Sequence, residues 1–246
     1  VYKLNQSINR KTKRMTYLIF LTFIWFSLHN LTFADGVDDF LLLKMKESKI
    51  PGLQIAVVQN SKIIKTASYG PANLQDDIKV DGTTVFNLAS ITKAFTCVAV
   101  MQLVEQGKLD LSANISTYLN DLPSAWKNIT VKQVLSHTSG LPDIMNKHFQ
   151  LIDSEGENES WQTLKNRALY FEPGTAFRYN QTNYLLAGRI IKHVSGKDYT
   201  DLIRANQLAR VNMPLTKAAG FAHFHNVNSH QARDYRFNPQ GELTNV

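Results

Sequence analysis

The apolar positions of this 246-residue chain fall into runs of different kinds. A long apolar run, Tyr17 to Phe33, interrupted toward its far end by Ser27, His29, Asn30 and Thr32, comes first. After it, "DDFLLLKMKESKIPG" begins with acids, runs apolar and stops at Pro51-Gly52, which predicts one short helix. "LQIAVVQNSKIIKTASYG" holds two β-rich runs parted by Asn60-Ser61 and predicts a hairpin. From Val85 the pattern changes: Ile91, Ala94, Phe95, Cys97, Val98, Met101, Leu103 and Val104 predict a helix that ends at Gly107. It is apolar on nearly every side, so burial is expected all round.

Short elements and turns are expected between Leu109 and Asp143. "ESWQTLKNRAL" reads as helix, "FEPGTAFRYN" as a Pro-Gly loop, and "NYLLAGRIIKHVSGKDYTDLIRANQL" as two helices parted at Ser195-Gly196. The last thirty or so residues read as loop with one strand. No repeat, low-complexity tract or separating linker interrupts the chain. Because a lone two-stranded hairpin is rarely stable, the sheet calls for more strands than the pattern supplies.

The charge pattern alters the reading of the first run. Lys3, Arg10, Lys11, Lys13 and Arg14 precede it without a single acid, as in a signal peptide over residues 1–34, with Thr32 and Ala34 before a cut. An uncleaved anchor is the other reading, since the run is close to the ~18 residues of a membrane span. Either way the remainder is expected to be exported, periplasmic or secreted, with membrane association only through this segment. Without the five basic residues the formal net charge falls from +7 to +2. No basic stripe remains to suggest a nucleic-acid partner. Residues 35–246 are expected to form one domain. Its single cysteine, Cys97, allows no internal disulfide and no cysteine-type metal cluster.

Two Ser-x-x-Lys patterns occur, Ser90 to Lys93 and Ser124 to Lys127, so the spacing alone selects neither. Ser90 opens the predicted apolar helix, whereas Ser124 follows Pro123 in a loop. Residues three apart on a helix share a face, so Lys93 can lie alongside the Ser90 hydroxyl and is expected, as a neutral amine, to take its proton as general base. The helix N-terminus adds N–H donors for a developing oxyanion. The alternative is a capping serine and a snorkelling lysine.

Four stretches occur in order: "IPGLQIAVVQN", "FNLASITKAFT", "VLSHTSGLPD" and "PGTAFRYNQTNYLLAG". With them the chain, from about Asp38 onward, resembles the serine β-lactamase and penicillin-recognising family, nearest its class C β-lactamase, D-alanyl-D-alanine carboxypeptidase and esterase branches. The Ser-x-x-Lys is that family's signature. The resemblance implies an α+β, β-lactamase/transpeptidase-like fold: an antiparallel sheet flanked by helices, and a mainly helical lobe. It implies Ser90 as acylated nucleophile, Lys93 as its partner, and no cofactor or metal. It also implies a substrate that is a small molecule or a peptidoglycan-type peptide: a β-lactam, a D-amino-acid peptide or an ester.

The family's Tyr-x-Asn has two candidates here, Tyr118-Leu119-Asn120 and Tyr179-Asn180-Gln181. The neighbourhood favours Tyr179 as proton shuttle, with Gln181 in the substrate-binding place usually held by asparagine. His137 lies in a stretch that resembles a structural loop, and Ser139, Gly140 and Pro142 suit a turn. His223, His225 and His230 lack the spacing of metal ligands. Cys97 reads as a small core residue.

The family's third element, Lys-Thr-Gly or His-x-Gly on a late strand, has no matching triplet here. The sequence is therefore expected to be incomplete at its C-terminus, with late strands missing, and incompetent as an enzyme as written. The alternative function is a binding module of the same fold that captures ligand with little turnover.

Overall fold

The computed structural model describes residues 36–148, 150–214, 216 and 230–245, in two compact units that divide after Gly82. The leader, residues 1–34, and His223 and His225 lie outside the described residues. Among the described residues no helix is long and apolar enough to cross a membrane.

In the first unit, helix α1 (Gly36–Glu47) carries Asp38 and Asp39 in its first turn and Lys44 and Lys46 in its last, matching the helix dipole at both ends. Strands β1 (Leu53–Gln59) and β2 (Lys62–Tyr69) pair antiparallel from Leu53↔Tyr69 to Gln59↔Lys62, with an irregularity at Val57/Val58. Their loop residues Asn60 and Ser61 both take positive φ, 50° and 59°, the type I′ geometry that suits the twist of a hairpin. Asp38 ties α1 to this hairpin: its carboxylate accepts the Tyr69 hydroxyl and pairs with Lys65 at 2.7 Å. Two short strands follow, β3 (Pro71–Asn73) and β4 (Ile78–Lys79), also antiparallel.

The second unit is mainly helical. Its helices are α2 (Thr92–Glu105), α3 (Val131–Leu135), α4 (Glu157–Lys165), α5 (Thr182–Ser195) and α6 (Tyr199–Ile203), the last running into a π-helical turn at Arg204–Leu208. Gly196 ends α5 in the left-handed conformation at φ 68°, the glycine C-cap expected of the Ser195-Gly196 break. Both α2 and α3 pack on α5. Leu103, Trp126, Leu164, Leu186, Ile190 and Ile203 form the centre of one core. Each such side chain contributes about 1.5–3 kcal/mol by leaving water.

The expectation that α2 is buried on every side needs correction. Thr96, Ala99, Val100 and Leu103 face the core, while Val98 and Met101 on the opposite face are 47% and 49% exposed. The apolar period marked the helix correctly but could not separate two apolar faces. The end of the chain also departs from expectation. It forms two strands rather than one, β5 (Tyr235–Phe237) paired antiparallel with β6 (Leu243–Asn245).

Candidate active site

Ser90 stands on a 3₁₀ turn, Ala89–Ile91, immediately ahead of α2 rather than inside its first turn. Asn87 Oδ1 accepts the Ala89 N–H at 3.0 Å, and Ala89 takes φ 44°, a left-handed conformation uncommon for a residue with a Cβ. Such strained backbone gathers at functional sites, and here it presents an exposed serine at the head of a helix. Lys93, three residues on, shares that face.

The opposing wall is built by the turn after α3 and by the segment that leads into α5. A capping box of Thr130 and Gln133 starts α3. Beyond it, His137 and Gly140 both take positive φ, and the turn offers its carbonyls to the later segment. Arg178 N–H donates to His137 O at 2.9 Å, Gly174 N–H to Thr138 O at 2.8 Å, and Tyr170 N–H to Gly140 O at 2.7 Å. Asn180 is buried between them: its amide donates to Leu141 O at 2.9 Å and its Oδ1 accepts Asn183 N–H at 3.0 Å. Gln181 N–H donates to Asp143 Oδ1 at 3.0 Å. With Asn180 held in the core, its neighbours Tyr179 and Gln181 reach the serine and the lysine.

All four residues expected at the site come together. Tyr179 Oη lies 2.8 Å from Ser90 Oγ. Lys93 Nζ donates to Gln181 Oε1 at 2.9 Å and, more weakly, to Ser90 Oγ at 3.4 Å. The same ammonium sits 4.9 Å from the Tyr179 ring centre and 5.3 Å from that of Tyr184. Burial opposes ionisation of the Tyr179 phenol. Lys93 beside it, with hydrogen bonds from Ser90 and Gln181, outweighs that and holds it below the ordinary tyrosine range. Tyr184 moves the other way, pushed up by burial and by its hydrogen bond with Cys97. Burial, followed by the charge of Lys93, lowers the His137 pKa, against an opposing pull from Asp143.

The other candidates lie elsewhere or serve packing. Tyr118 Oη accepts the Asp110 N–H at 2.9 Å, outside this cluster. Ser124 sits in a 3₁₀ turn whose carbonyl takes the Lys127 N–H at 3.3 Å. Cys97 Sγ meets Tyr184 Oη at 3.1 Å. His230 lies in the described part and gives its carbonyl to Val85 N–H at 2.9 Å. Sequence reading passed over Asp143, Asn180, Asn183 and Tyr184. For Asn180 and Asn183 the one local signal was an unusual density of amide side chains, "YNQTN", at the start of a helix.

Fold and cluster together define a protein of the β-lactamase/transpeptidase type. Residues 37–226 match the family described as Beta-lactamase, and the chain belongs to that family. Protein flp of Staphylococcus aureus (strain N315) is 30% identical over 204 residues, covering 81% of this chain and 40% of that protein. The octameric penicillin-binding protein homologue from Pyrococcus abyssi superposes with TM-score 0.71 at 25% identity, over 87% of this chain and 50% of that one. A class C beta-lactamase in complex with cefoxitin superposes with TM-score 0.68 at 26% identity, over 86% of this chain and 57% of that one. The chain thus spans about 40% of the length of the curated relative.

Proposed function

We propose that the protein is an exported serine hydrolase that works through an acyl-enzyme on Ser90. The observation that carries this reading is the 2.8 Å approach of Tyr179 Oη to Ser90 Oγ beside the Lys93 ammonium. Of the two groups near the serine, the phenol is the closer by 0.6 Å, from 2.8 and 3.4 Å, and its proton is loosened by its surroundings. Tyr179 is therefore the proton acceptor, and Lys93 holds the phenolate form and steadies Gln181. This gives the lysine an electrostatic part rather than that of base.

As Ser90 Oγ adds to the substrate carbonyl carbon, its proton passes to Tyr179 Oη. The carbonyl electron pair moves onto oxygen, where the Ser90 N–H at the head of α2 offers a donor. The adduct collapses by breaking the bond to the leaving nitrogen or oxygen, which takes the proton back from Tyr179. Water then cleaves the serine ester, releasing the acid and restoring the hydroxyl. Suitable substrates are β-lactams, D-amino-acid peptides and esters. The likeness to a class C beta-lactamase with cefoxitin bound supports the first of these. Export rests on the basic residues ahead of the apolar run Tyr17 to Phe33.

A second reading, a binding module with little turnover, is favoured by one feature: the Gln181 amide oxygen is already engaged by Lys93. Steady-state turnover of a chromogenic cephalosporin and a small ester separates the two. A hydrolase releases many equivalents of product; a binding module releases at most one.

A further inference from the structure

His137 belongs to a turn, yet its ring is in the site. It lies 4.4 Å from the Tyr179 ring and 5.2 Å from the Tyr184 ring, tilted 37° and 34°, so the imidazole packs against both tyrosines. Phe177 meets its edge at 6.0 Å. The ring cannot slide, because its Nδ1 is fixed from two sides: Asn180 N–H at 3.3 Å and the Asn183 amide at 3.1 Å. Ser139 Oγ donates to Asn183 Oδ1 at 2.6 Å, which turns the Asn183 amino group toward the imidazole.

A backbone N–H can only donate, so Nδ1 must accept and the ring proton must sit on Nε2. An imidazolium would carry a hydrogen on Nδ1, pointing at the Asn180 N–H, and both contacts would break. The charged and titratable groups that face the ring are Lys93 from α2, Asp143 from the loop after the turn, Tyr179, and Tyr184 from α5. A neutral ring between a lysine ammonium and two phenols adds no competing charge and has no free lone pair to compete for the serine proton.

We infer that His137 is a positioning residue: fixed as the neutral Nε2–H tautomer by two N–H donors at Nδ1, its ring is the platform that holds the Tyr179 phenol against Ser90 Oγ. The inference rests on the acyl-enzyme reading for its kinetic consequence. Its structural content stands without it. His137 O also accepts Arg178 N–H, so one residue secures the backbone on both sides of Tyr179, at Arg178 and at Asn180. Displacement of a reacting group by about 1 Å costs on the order of 10²-fold in rate, which sets the scale of the effect.

The test uses the whole chain and combines three readouts. Nitrogen-15 NMR of the wild-type imidazole should show protonated Nε2 and bare Nδ1, persisting below the usual histidine midpoint of about 6.5. His137→Asn tolerates the left-handed backbone and keeps an acceptor near the Nδ1 position, but removes the ring. It should keep its fold, lower the rate of Ser90 labelling by a fluorescent penicillin or fluorophosphonate roughly 10- to 100-fold, and shift the ultraviolet titration of Tyr179. A proton on Nδ1 in the wild type, or His137→Asn with unchanged labelling and unchanged Tyr179 titration, overturns the inference. Absence of labelling in the wild type counts against the Ser90 reading, while the imidazole spectrum and the tyrosine titration still decide the role of His137.

Discussion

Tyr179 Oη is 2.8 Å from Ser90 Oγ, although the two residues are 89 positions apart in the chain and come from elements that share no local pattern. From this contact follows a pH dependence. Under the proposed mechanism Tyr179 reacts as the phenolate, and its pKa is lowered, so acylation should rise with pH along a limb lying below the ordinary tyrosine value of about 10. Lys93→Ala removes the nearby positive charge and should move that limb upward as well as slow the reaction. Rate profiles of the two proteins against pH check this, and a limb that stays in place in Lys93→Ala speaks against the electrostatic part given to the lysine.

Gln181 joins the site through Lys93, 2.9 Å from its amide oxygen. Shortening the side chain by one methylene in Gln181→Asn should lengthen that contact. Hydrogen bonds to charged groups contribute about 1.5–3 kcal/mol, less where the partner is partly exposed as here, so a loss of up to roughly tenfold in kcat/KM is expected. The same change should alter relative rates among cephalosporins and esters. Identical kinetics for both proteins would detach Gln181 from catalysis.

Gly140 tests whether the turn after α3 supports the site. It takes φ 73°, and a Cβ there would lie 2.0 Å from the Phe171 carbonyl oxygen. Gly140→Ala should therefore lower the melting temperature markedly and loosen the 170–181 segment that carries Tyr179. Gly107 has φ 68° but open space around it, so Gly107→Ala should cost only the left-handed backbone term, about 1–2 kcal/mol. Thermal unfolding of the pair provides the comparison; equal losses would mean that the Phe171 contact is unimportant.

Much of this architecture was legible in the chain. Asn60-Ser61 marked the hairpin because turn-forming residues stand there between two β-rich runs. Ser90 and Lys93 were legible by spacing, once the following apolar period placed them at a helix start. Tyr179 could be chosen over Tyr118 only through its neighbours. What escaped was the support beneath: Asn180 to Leu141, Gln181 to Asp143, and His137 to Asn180 are contacts between a side chain and backbone some 40 residues apart. Such contacts leave no periodicity. The exposed face of α2 escaped for a related reason, since Val98 and Met101 are as apolar as the buried Val100 and Leu103. Strands β5 and β6, three residues each, are too short to show alternation.

Export makes a separate prediction. Protein secreted by an expressing cell should begin near Asp35, the residue after the proposed cut at Ala34, when its N-terminus is read by mass spectrometry. Recovery of the full-length chain in the soluble cytoplasmic fraction alone would remove the leader assignment.

The central claim is that Ser90 is the residue that becomes acylated. The direct measurement is mass spectrometry of the chain after brief exposure to a penicillin or a fluorophosphonate, followed by peptide mapping. The adduct should sit on Ser90, disappear in Ser90→Ala, persist in Ser124→Ala, and form at least about 10²-fold more slowly in Tyr179→Phe. An adduct mapped to any other residue, or one that survives in Ser90→Ala, contradicts the account.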